Sequence, residues 1–141
     1  MNNKVGYVSI IGLPNVGKST LLNAILKQKI SIVTPKPQTT RKKILGILTE
    51  SDYQIIFLDT PGIVKPAYLL HEKMLEEVNE SIKDADVIVL IFDVSSEGRI
   101  KESEENEIIK ELIKQKKKPI ILALNKVDSI TQEQAQQLVK H

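Results

Sequence analysis

The chain has 141 residues, the size of a single domain, and its 41% hydrophobic and 27% charged residues are enough to form a buried core and a polar surface. It holds no cysteine, which excludes a disulfide framework and a zinc–thiolate site, and no apolar run approaches the roughly 20 residues that span a bilayer. The net charge is +2, yet the first 49 residues carry eight basic side chains and no acidic one. The positive electrostatic field of these residues favours a polyanionic ligand. Lysines scattered over a solvated surface would give the same charge imbalance.

The first predicted strand, residues 5–11, is a β-branched apolar run typical of a parallel sheet. A glycine loop follows it, and then a predicted helix over residues 18–27. The loop matches the phosphate-loop pattern G-x-x-x-x-G-K-[ST] at every fixed position. Its glycines allow a tight turn whose amides can cradle phosphate, while Lys18 adds charge and Ser19 offers a hydroxyl to Mg²⁺. The predicted nucleotide-binding residues of this stretch are Gly12, Leu13, Pro14, Asn15, Val16, Gly17, Lys18, Ser19 and Thr20.

A proline-rich stretch over residues 30–40 is predicted to be a loop that is either ordered or able to switch. Apolar runs at residues 43–49 and 53–58, joined by a polar turn, predict an antiparallel strand pair. The second run leads into a further group of predicted nucleotide-binding residues: Asp59, Thr60, Pro61 and Gly62. Here a carboxylate at a strand end can reach Mg²⁺, usually through water, and a glycine amide can donate to a γ-phosphate. The same tetrapeptide is also typical of an ordinary turn.

The next part of the chain predicts a helix over residues 70–82 and a strongly apolar strand at 87–92. Residues 93–99 are predicted to be a connecting loop. Ser103 is the predicted N-cap of the following helix, because acidic residues come directly after it. The predicted buried stripe of that helix consists of Ile108, Ile109, Leu112 and Ile113. Three lysines at 116–118 close it, where they favour the helix C-terminus and remain solvated.

A further buried strand is predicted at residues 120–124, and a capping box beginning at Thr131 starts the last helix. Strands and helices alternate along most of the chain, which favours crossover connections between parallel strands. The sequence therefore predicts an α/β fold of the phosphate-loop type. Its sheet is expected to be mostly parallel with one antiparallel edge strand, and its helices to lie on both faces.

The strand at 120–124 leads into a further motif, which consists of Asn125, Lys126, Val127 and Asp128. The Asp128 carboxylate can accept two hydrogen bonds from the ring N–H and the exocyclic amine of guanine, and adenine offers no matching pair. A site built to pair polar groups rejects analogues that lack them. Asn125 can hold both the guanine edge and the phosphate loop, and the Lys126 stem can cover the ring. The predicted ligand is therefore GTP or GDP.

The motifs in this order resemble the GTP-binding domain of translation-factor-related GTPases, and the bacterial Era family in particular. The phosphate loop and first helix resemble that family, and so does the stretch after Gly62, except that Val64 stands where a histidine is expected. Residues 37–41 and 44–46 resemble its switch I. The switch I residues implied by the resemblance are Gln38, Thr39, Thr40, Arg41 and Lys42.

The resemblance implies that Ser19 and Thr40 bind Mg²⁺, with Asp59 acting through water, although spacing alone does not separate Thr39 from Thr40. Ile63 stands where Ras-like enzymes carry a glutamine that orients the attacking water. Related enzymes use K⁺ held partly by a phosphate-loop asparagine, and Asn15 is at that place; it could also only brace the loop. The implied reaction is slow, K⁺-stimulated GTP hydrolysis with catalytic residues Lys18, Asn15 and Thr40.

The implied role is a switch in assembly of the small ribosomal subunit, with its rRNA as partner. Residues 1–141 would be a GTP-binding domain lacking its last strand and helix, and an RNA-binding KH domain is expected beyond His141. A cytoplasmic monomer with possible peripheral contact to the inner membrane is expected, and the N-terminus lacks the form of a signal peptide.

Three other functions remain open from the residues. The chain could be a binding module that acts by nucleotide occupancy with negligible turnover. It could be a GTP-binding domain of the tRNA-modifying or double-domain ribosome-assembly relatives. A nucleotide or metabolite kinase would use the same phosphate loop, but the motif at residues 125–128 argues against it.

Overall fold

The computed structural model describes residues 3–26, 30–31, 44–58, 69–115 and 117–140. In this part of the chain the strands are β1 (Lys4–Ile11), β2 (Ile30–Ser31), β3 (Ile44–Thr49), β4 (Tyr53–Leu58), β5 (Val87–Asp93) and β6 (Ile120–Asn125). The helices are α1 (Lys18–Leu26), α2 (Leu69–Asp84), α3 (Glu97–Glu105), α4 (Glu107–Gln115) and α5 (Gln132–Val139), and a 3-10 turn covers Val127–Ser129. Among the described helices none combines the length and the apolar character needed to cross a bilayer.

The strands form one sheet in the order β2-β3-β4-β1-β5-β6. The four strands β4, β1, β5 and β6 are parallel, whereas β3 runs antiparallel to both of its neighbours. The predicted α/β fold with a mostly parallel sheet is confirmed. The antiparallel strand is β3, as expected, and the two-residue β2 lies outside it at the edge. The predicted loop over residues 30–40 is wrong at its first two residues, because Ile30 and Ser31 form β2 and Ile30 pairs with Leu48.

The core lies where β1 and β5 run side by side. Leu90, Ile91 and Phe92 are consecutive and all buried, and because neighbouring strand residues point to opposite faces, both faces of β5 are covered. Helices contribute the apolar residues Leu22, Val78 and Ile109, each at most 5% exposed. These are the hydrophobic positions that helical spacing predicted.

The connection after β5 differs from the prediction. Residues 93–99 are not all loop, because α3 begins at Glu97 with Ser96 as its N-cap, whose hydroxyl accepts a hydrogen bond from the Arg99 amide at 3.2 Å. Ser103 is not an N-cap; it lies inside α3 and is fully buried. Asn106 caps α4 instead, accepting bonds from the amides of residues 108 and 109. Ser96, Ser103 and Asn106 each precede a glutamate, so all three have the sequence pattern of an N-cap, and the pattern alone does not show which of them begins a helix.

Two further predictions about burial are wrong. Ile113, assigned to the buried stripe of its helix, is 50% exposed. The strand at 120–124 is only partly covered, since Ile121 and Leu122 are 56% and 53% exposed. Among the described strands β6 pairs with β5 alone, so it lies at the edge of the sheet. The predicted capping box of the last helix is confirmed, with Thr131 and Gln134 bonded to each other's main-chain amides.

The lysine run after α4 has a contact that the sequence did not suggest. Lys118 donates from Nζ to the main-chain oxygens of Ile82 and Lys83, at 2.6 and 2.5 Å, in the last turn of α2. A cation is favourable there because the carbonyls at a helix C-terminus lack partners and carry partial negative charge. The lysine therefore caps a neighbouring helix rather than its own.

Candidate nucleotide-binding site

The motifs predicted to bind a nucleotide lie at one edge of the sheet. Because β1, β5 and β6 are parallel neighbours, their carboxyl ends meet there, and ligands of open α/β sheets bind at that edge. The phosphate loop follows β1, and the motif that begins at Asn125 ends β6. Between them β5 ends in Asp93, which is the register partner of Asn125. Segments that are more than a hundred residues apart in the sequence therefore meet in the fold.

The phosphate loop is held in place by two buried residues and one close approach of its backbone to β5. Leu13 and Val16 are 8% and 1% exposed, while Pro14 and Asn15 between them are exposed. A Cβ at Gly12 would lie 2.7 Å from the Ile91 oxygen, a distance that real Cβ atoms do not reach. The backbone therefore passes against β5 too closely for any residue but glycine.

The conformation of the loop is one that suits an anion nest. Gly17 has φ of 101° and Asn15 has φ of 64°, both in the left-handed region. Alternation of right- and left-handed residues lets successive amides converge on one side of a loop. The loop leads into α1 at Lys18, with the Leu21 amide bonded to the Gly17 oxygen at 2.9 Å. The positive end of a helix dipole at this point favours negative charge.

Lys18 and Ser19 line a small cavity of about 100 Å³ together with apolar residues of β1, α1, β3 and β4. Their position at the start of α1, next to the loop, is the one that the pattern predicted for contact with phosphate and with Mg²⁺. Thr20 follows them in the first turn and is exposed. Of the residues predicted to bind Mg²⁺, Ser19 alone lies in the described part of the chain.

Asn125 and Lys126 are bonded directly to the phosphate loop. The Asn125 side chain donates from Nδ2 to the main-chain oxygen of Val16 at 2.8 Å. Lys126, itself left-handed with φ of 65°, donates from Nζ to the main-chain oxygen of Asn15 at 3.2 Å. The segment predicted to read the base thus also holds the segment predicted to hold the phosphates.

Asp128 and Val127 lie in the 3-10 turn after β6, and both are exposed. The Asp128 carboxylate therefore lies at the surface, next to the bonded pair Asn125–Lys126, and its contact with a guanine edge stays a prediction. The remaining predicted residues lie outside the described part of the chain. They are Gln38, Thr39, Thr40, Arg41, Lys42, Asp59, Thr60, Pro61 and Gly62.

Sequence reasoning missed Asp93 and Arg99. The Asp93 side chain is 3% exposed, and its Oδ2 accepts from Lys126 Nζ at 2.9 Å and from Arg99 Nε at 3.3 Å. Its Oδ1 accepts from the Ser95 amide at 2.9 Å. Arg99 also donates from Nη2 to the main-chain oxygen of Pro14 at 2.8 Å. The sequence offered one signal for Asp93, since it is an acidic residue directly after a strand that is predicted to be strongly apolar.

The environment of Asp93 holds its carboxylate charged. Burial alone would raise the pKa of Asp93, but the bonds from Lys126, Ser95 and Arg99 more than offset it, so its pKa lies well below the ordinary value of 3.8. A carboxylate that stays ionised keeps both cations in place. The site is therefore a cationic edge, with one buried anion that positions two basic side chains.

Comparison with known proteins shows the family to which the chain belongs. The family model described as 50S ribosome-binding GTPase matches residues 7–126. The chain is 46% identical over 137 residues to GTPase Era of Clostridium botulinum (strain Hall), covering 97% of this chain and 45% of that protein. It is 51% identical over 130 residues to GTPase Era of Clostridium novyi (strain NT), covering 92% and 43%. It thus spans about half the length of the curated relatives it matches.

Among solved structures, the chain is similar to Era in complex with MgGDPNP and nucleotides 1506–1542 of 16S ribosomal RNA. The TM-score is 0.74 at 43% identity, and the match covers 97% of this chain and 46% of that one. The resemblance to Era that the motifs predicted is confirmed. The matched residues include the phosphate loop, the buried Asp93 and the Asn125–Lys126 pair, and the chain belongs to the 50S ribosome-binding GTPase family.

Proposed function

We propose that this chain is the GTP-binding domain of a GTPase, which binds GTP and GDP with Mg²⁺ and hydrolyses GTP. The observation that carries the proposal is the bonding of the guanine motif to the phosphate loop, through Asn125 to Val16 at 2.8 Å and Lys126 to Asn15 at 3.2 Å. A protein that only bound phosphate would not need its base-reading segment attached to the loop. Membership of a GTPase family and similarity to Era with MgGDPNP support the same conclusion.

Guanine selection is assigned to Asp128, whose exposed carboxylate can accept two hydrogen bonds from the guanine edge. Replacement by asparagine gives one acceptor and one donor, which fit the ring N–H and the 2-oxo group of xanthine. The decisive experiment measures GDP and XDP affinities of the protein and its Asp128→Asn variant. A change of preference from GDP to XDP supports the proposal. Unchanged GDP affinity in the variant would remove Asp128 from the site.

The phosphates are assigned to the loop from Gly12 to Thr20. The described residues fit a bound triphosphate with its metal, because the left-handed Asn15 and Gly17 let successive loop amides converge, and the loop leads into the N-terminus of α1, where Lys18 and Ser19 lie. Ser19 would hold Mg²⁺, together with Thr40 and, through water, Asp59. The metal neutralises charge on the β- and γ-phosphates. Lys18 contributes a positive charge to the same phosphates, and catalysis of this kind is mostly positioning and charge stabilisation.

We infer that hydrolysis is slow and stimulated by K⁺ bound in part by Asn15. Asn15 is exposed at the tip of the loop, and its left-handed backbone is held by Lys126. Ile63 cannot orient water through its side chain, so another device must supply that role. Faster hydrolysis in K⁺ than in Na⁺, lost in Asn15→Ala, is expected. Equal rates in the two salts would contradict K⁺ binding. Catalytic roles for Lys18, Asn15 and Thr40 belong to the same proposal.

The cellular role that we propose is assembly of the small ribosomal subunit through rRNA binding. It is supported by the similarity to Era crystallised with 16S ribosomal RNA. In this proposal residues 1–141 lack the last strand and helix of the GTP-binding domain, and an RNA-binding KH domain follows them. A cytoplasmic monomer with peripheral contact to the inner membrane completes the proposal. Binding of the full-length protein to small-subunit rRNA, and flotation with anionic vesicles, test the two contacts separately.

Hydrolysis must be separated from action by occupancy alone. Single-turnover release of phosphate from bound GTP, measured with Mg²⁺ and K⁺, makes that distinction. Phosphate release that is faster than the uncatalysed hydrolysis of GTP in solution supports a GTPase. No release above that rate, with tight GDP binding retained, would identify a binding module instead.

A further inference from the structure

We propose that Asp93, Arg99 and Lys126 form a clamp that orients the phosphate loop at Pro14 and Asn15, and that the clamp slows nucleotide release. The inference rests on the proposed function, since it assigns positioning residues to that site. Asp93 and Arg99 belong to none of the motifs that identify a GTP-binding domain.

The clamp engages two consecutive carbonyls of the loop. Arg99 Nη2 donates to the oxygen of Pro14 at 2.8 Å, and Lys126 Nζ donates to the oxygen of Asn15 at 3.2 Å. Both cations are held by the same atom, Asp93 Oδ2, at 3.3 and 2.9 Å. One buried carboxylate therefore positions two charged donors on neighbouring peptide groups.

Fixing these carbonyls also fixes the amides that follow them. In a planar trans peptide the C=O and the next N–H point in opposite directions. A carbonyl of Pro14 turned toward Arg99 therefore turns the Asn15 amide away from the clamp. A carbonyl of Asn15 turned toward Lys126 does the same for the Val16 amide. The clamp thus sets the direction of two successive donors in the loop predicted to cradle phosphate.

The loop needs such support at this point. Pro14 and Asn15 are exposed, so packing does not hold them, whereas Leu13 and Val16 on either side are buried. Asn15 is also left-handed with φ of 64°, a conformation that costs a non-glycine residue energy. Hydrogen bonds from charged donors are the described interactions that hold this conformation.

Arg99 is the member that gives the cleanest test. It comes from α3, its side chain is 30% exposed, and it is not part of the base-reading motif. Arg99→Met keeps much of the stem and removes every donor. Glu102→Gln is the matched control, because Glu102 bonds Arg99 Nη1 at 3.0 Å on the outer side, is 59% exposed and does not contact the loop.

The experiment measures dissociation of fluorescently labelled GDP from the protein by stopped flow. Arg99→Met is expected to release GDP roughly tenfold faster, as for loss of one charge-assisted hydrogen bond. The association rate should change little, because the clamp is proposed to act on the dissociation of bound nucleotide. Glu102→Gln should change release by less than about twofold, since exposed ion pairs contribute little. Release from Arg99→Met within twofold of the unchanged protein would overturn the clamp.

Asp93→Asn tests whether both cations act through one anion. Its effect on GDP release should equal or exceed that of Arg99→Met, and the double variant should be little worse than Asp93→Asn alone. Strictly additive effects would refute the shared anchor. If Asp93→Asn does not fold, the Arg99→Met result decides.

A readout without nucleotide separates this proposal from the function on which it rests. In the nucleotide-free protein, hydrogen exchange of the amides of residues 15–17 should be faster in Arg99→Met than in Glu102→Gln, by more than the exchange of the β1 amides changes. Unchanged exchange would contradict the clamp. Failure of the unchanged protein to bind GDP would overturn the proposed function and leave the exchange result as evidence for the clamp alone.

Discussion

The Asn125 side chain donates a hydrogen bond to the main-chain oxygen of Val16, at 2.8 Å, across the width of β5. Val16 is 1% exposed, so its carbonyl has little access to a replacement partner in water. The bond therefore ties the end of β6 to the loop after β1.

Asn125→Asp should weaken GDP binding while it leaves the shape of the side chain unchanged. The variant places an acceptor where the structure has a donor, and leaving a buried carbonyl without its partner costs about 1–3 kcal/mol. Titration calorimetry with GDP measures the change. Asn79→Asp is the control, because Asn79 is exposed on α2 and distant in the fold from the loop. Equal affinities for the two variants would contradict this account.

Gly17→Ala should disrupt the same contact from the other side. An added Cβ would lie 2.1 Å from Asn125 Nδ2, and the φ of 101° is unfavourable for alanine. We expect loss of stability of about 1–3 kcal/mol and a loss of nucleotide affinity. Chemical unfolding and GDP titration measure both.

Gly98→Ala is the matched control for that variant. Gly98 lies in α3, and its nearest neighbour for a new Cβ is Ser96 Oγ at 3.9 Å. Alanine there should stabilise by roughly 0.5–1 kcal/mol, because glycine is a poor helix residue. Destabilisation by both alanines would mean that the close contact at Gly17 is not the cause.

The stability of the protein should fall in acid partly through Asp93. Its pKa is lowered in the folded state, so between the ordinary value of 3.8 and that lower pKa the unfolded chain binds more protons. The contribution of Asp93 is therefore complete above this window and is lost as pH falls through it. Urea unfolding from pH 6 to pH 2 compares the protein with Asp93→Asn. The difference in stability between them should shrink as the pH falls below about 4, and a constant difference would contradict the prediction.

Asn106→Ala should destabilise the fold and leave the site intact. Asn106 is 7% exposed and its Oδ1 accepts from the amides of Ile108 and Ile109 at 3.0 and 3.2 Å. Loss of a cap of this kind costs about 1–2 kcal/mol. Thermal unfolding measures it, and Thr131→Ala, an exposed cap of α5, should cost less. A changed GDP affinity in Asn106→Ala would indicate that α4 is coupled to the site.

The sequence was informative wherever the signal is local. The phosphate loop, the β4 bounds and the capping box at Thr131 depend on residues within a few positions of one another. Asp93 and Arg99 were missed because their partners are distant, Arg99 being 85 residues from Pro14. The role of Asp93 follows from the register that pairs β5 with β6, and no spacing within the chain encodes that register.

The false N-cap at Ser103 has a related cause. Ser96, Ser103 and Asn106 all precede glutamate, so capping chemistry alone allows a helix to start at any of them. Tertiary packing decides between them, since Ser103 is fully buried inside α3 while Asn106 lies at its end. The exposure of Ile113 and Ile121 was missed because tertiary packing also decides burial. Many apolar residues of folded proteins lie at the surface, so an apolar side chain does not by itself predict a buried position.

The order β4-β1-β5-β6 also determines the distance between the strand ends at the candidate site. Adjacent strands are about 4.8 Å apart, so the carboxyl ends of β4 and β6 are separated by roughly 14 Å. In the proposed function the nucleotide contacts residues that follow β4 and residues that follow β6, so it must span about that distance. The spacing of the strands would then set a minimum length for the ligand, independently of the side chains that discriminate among bases.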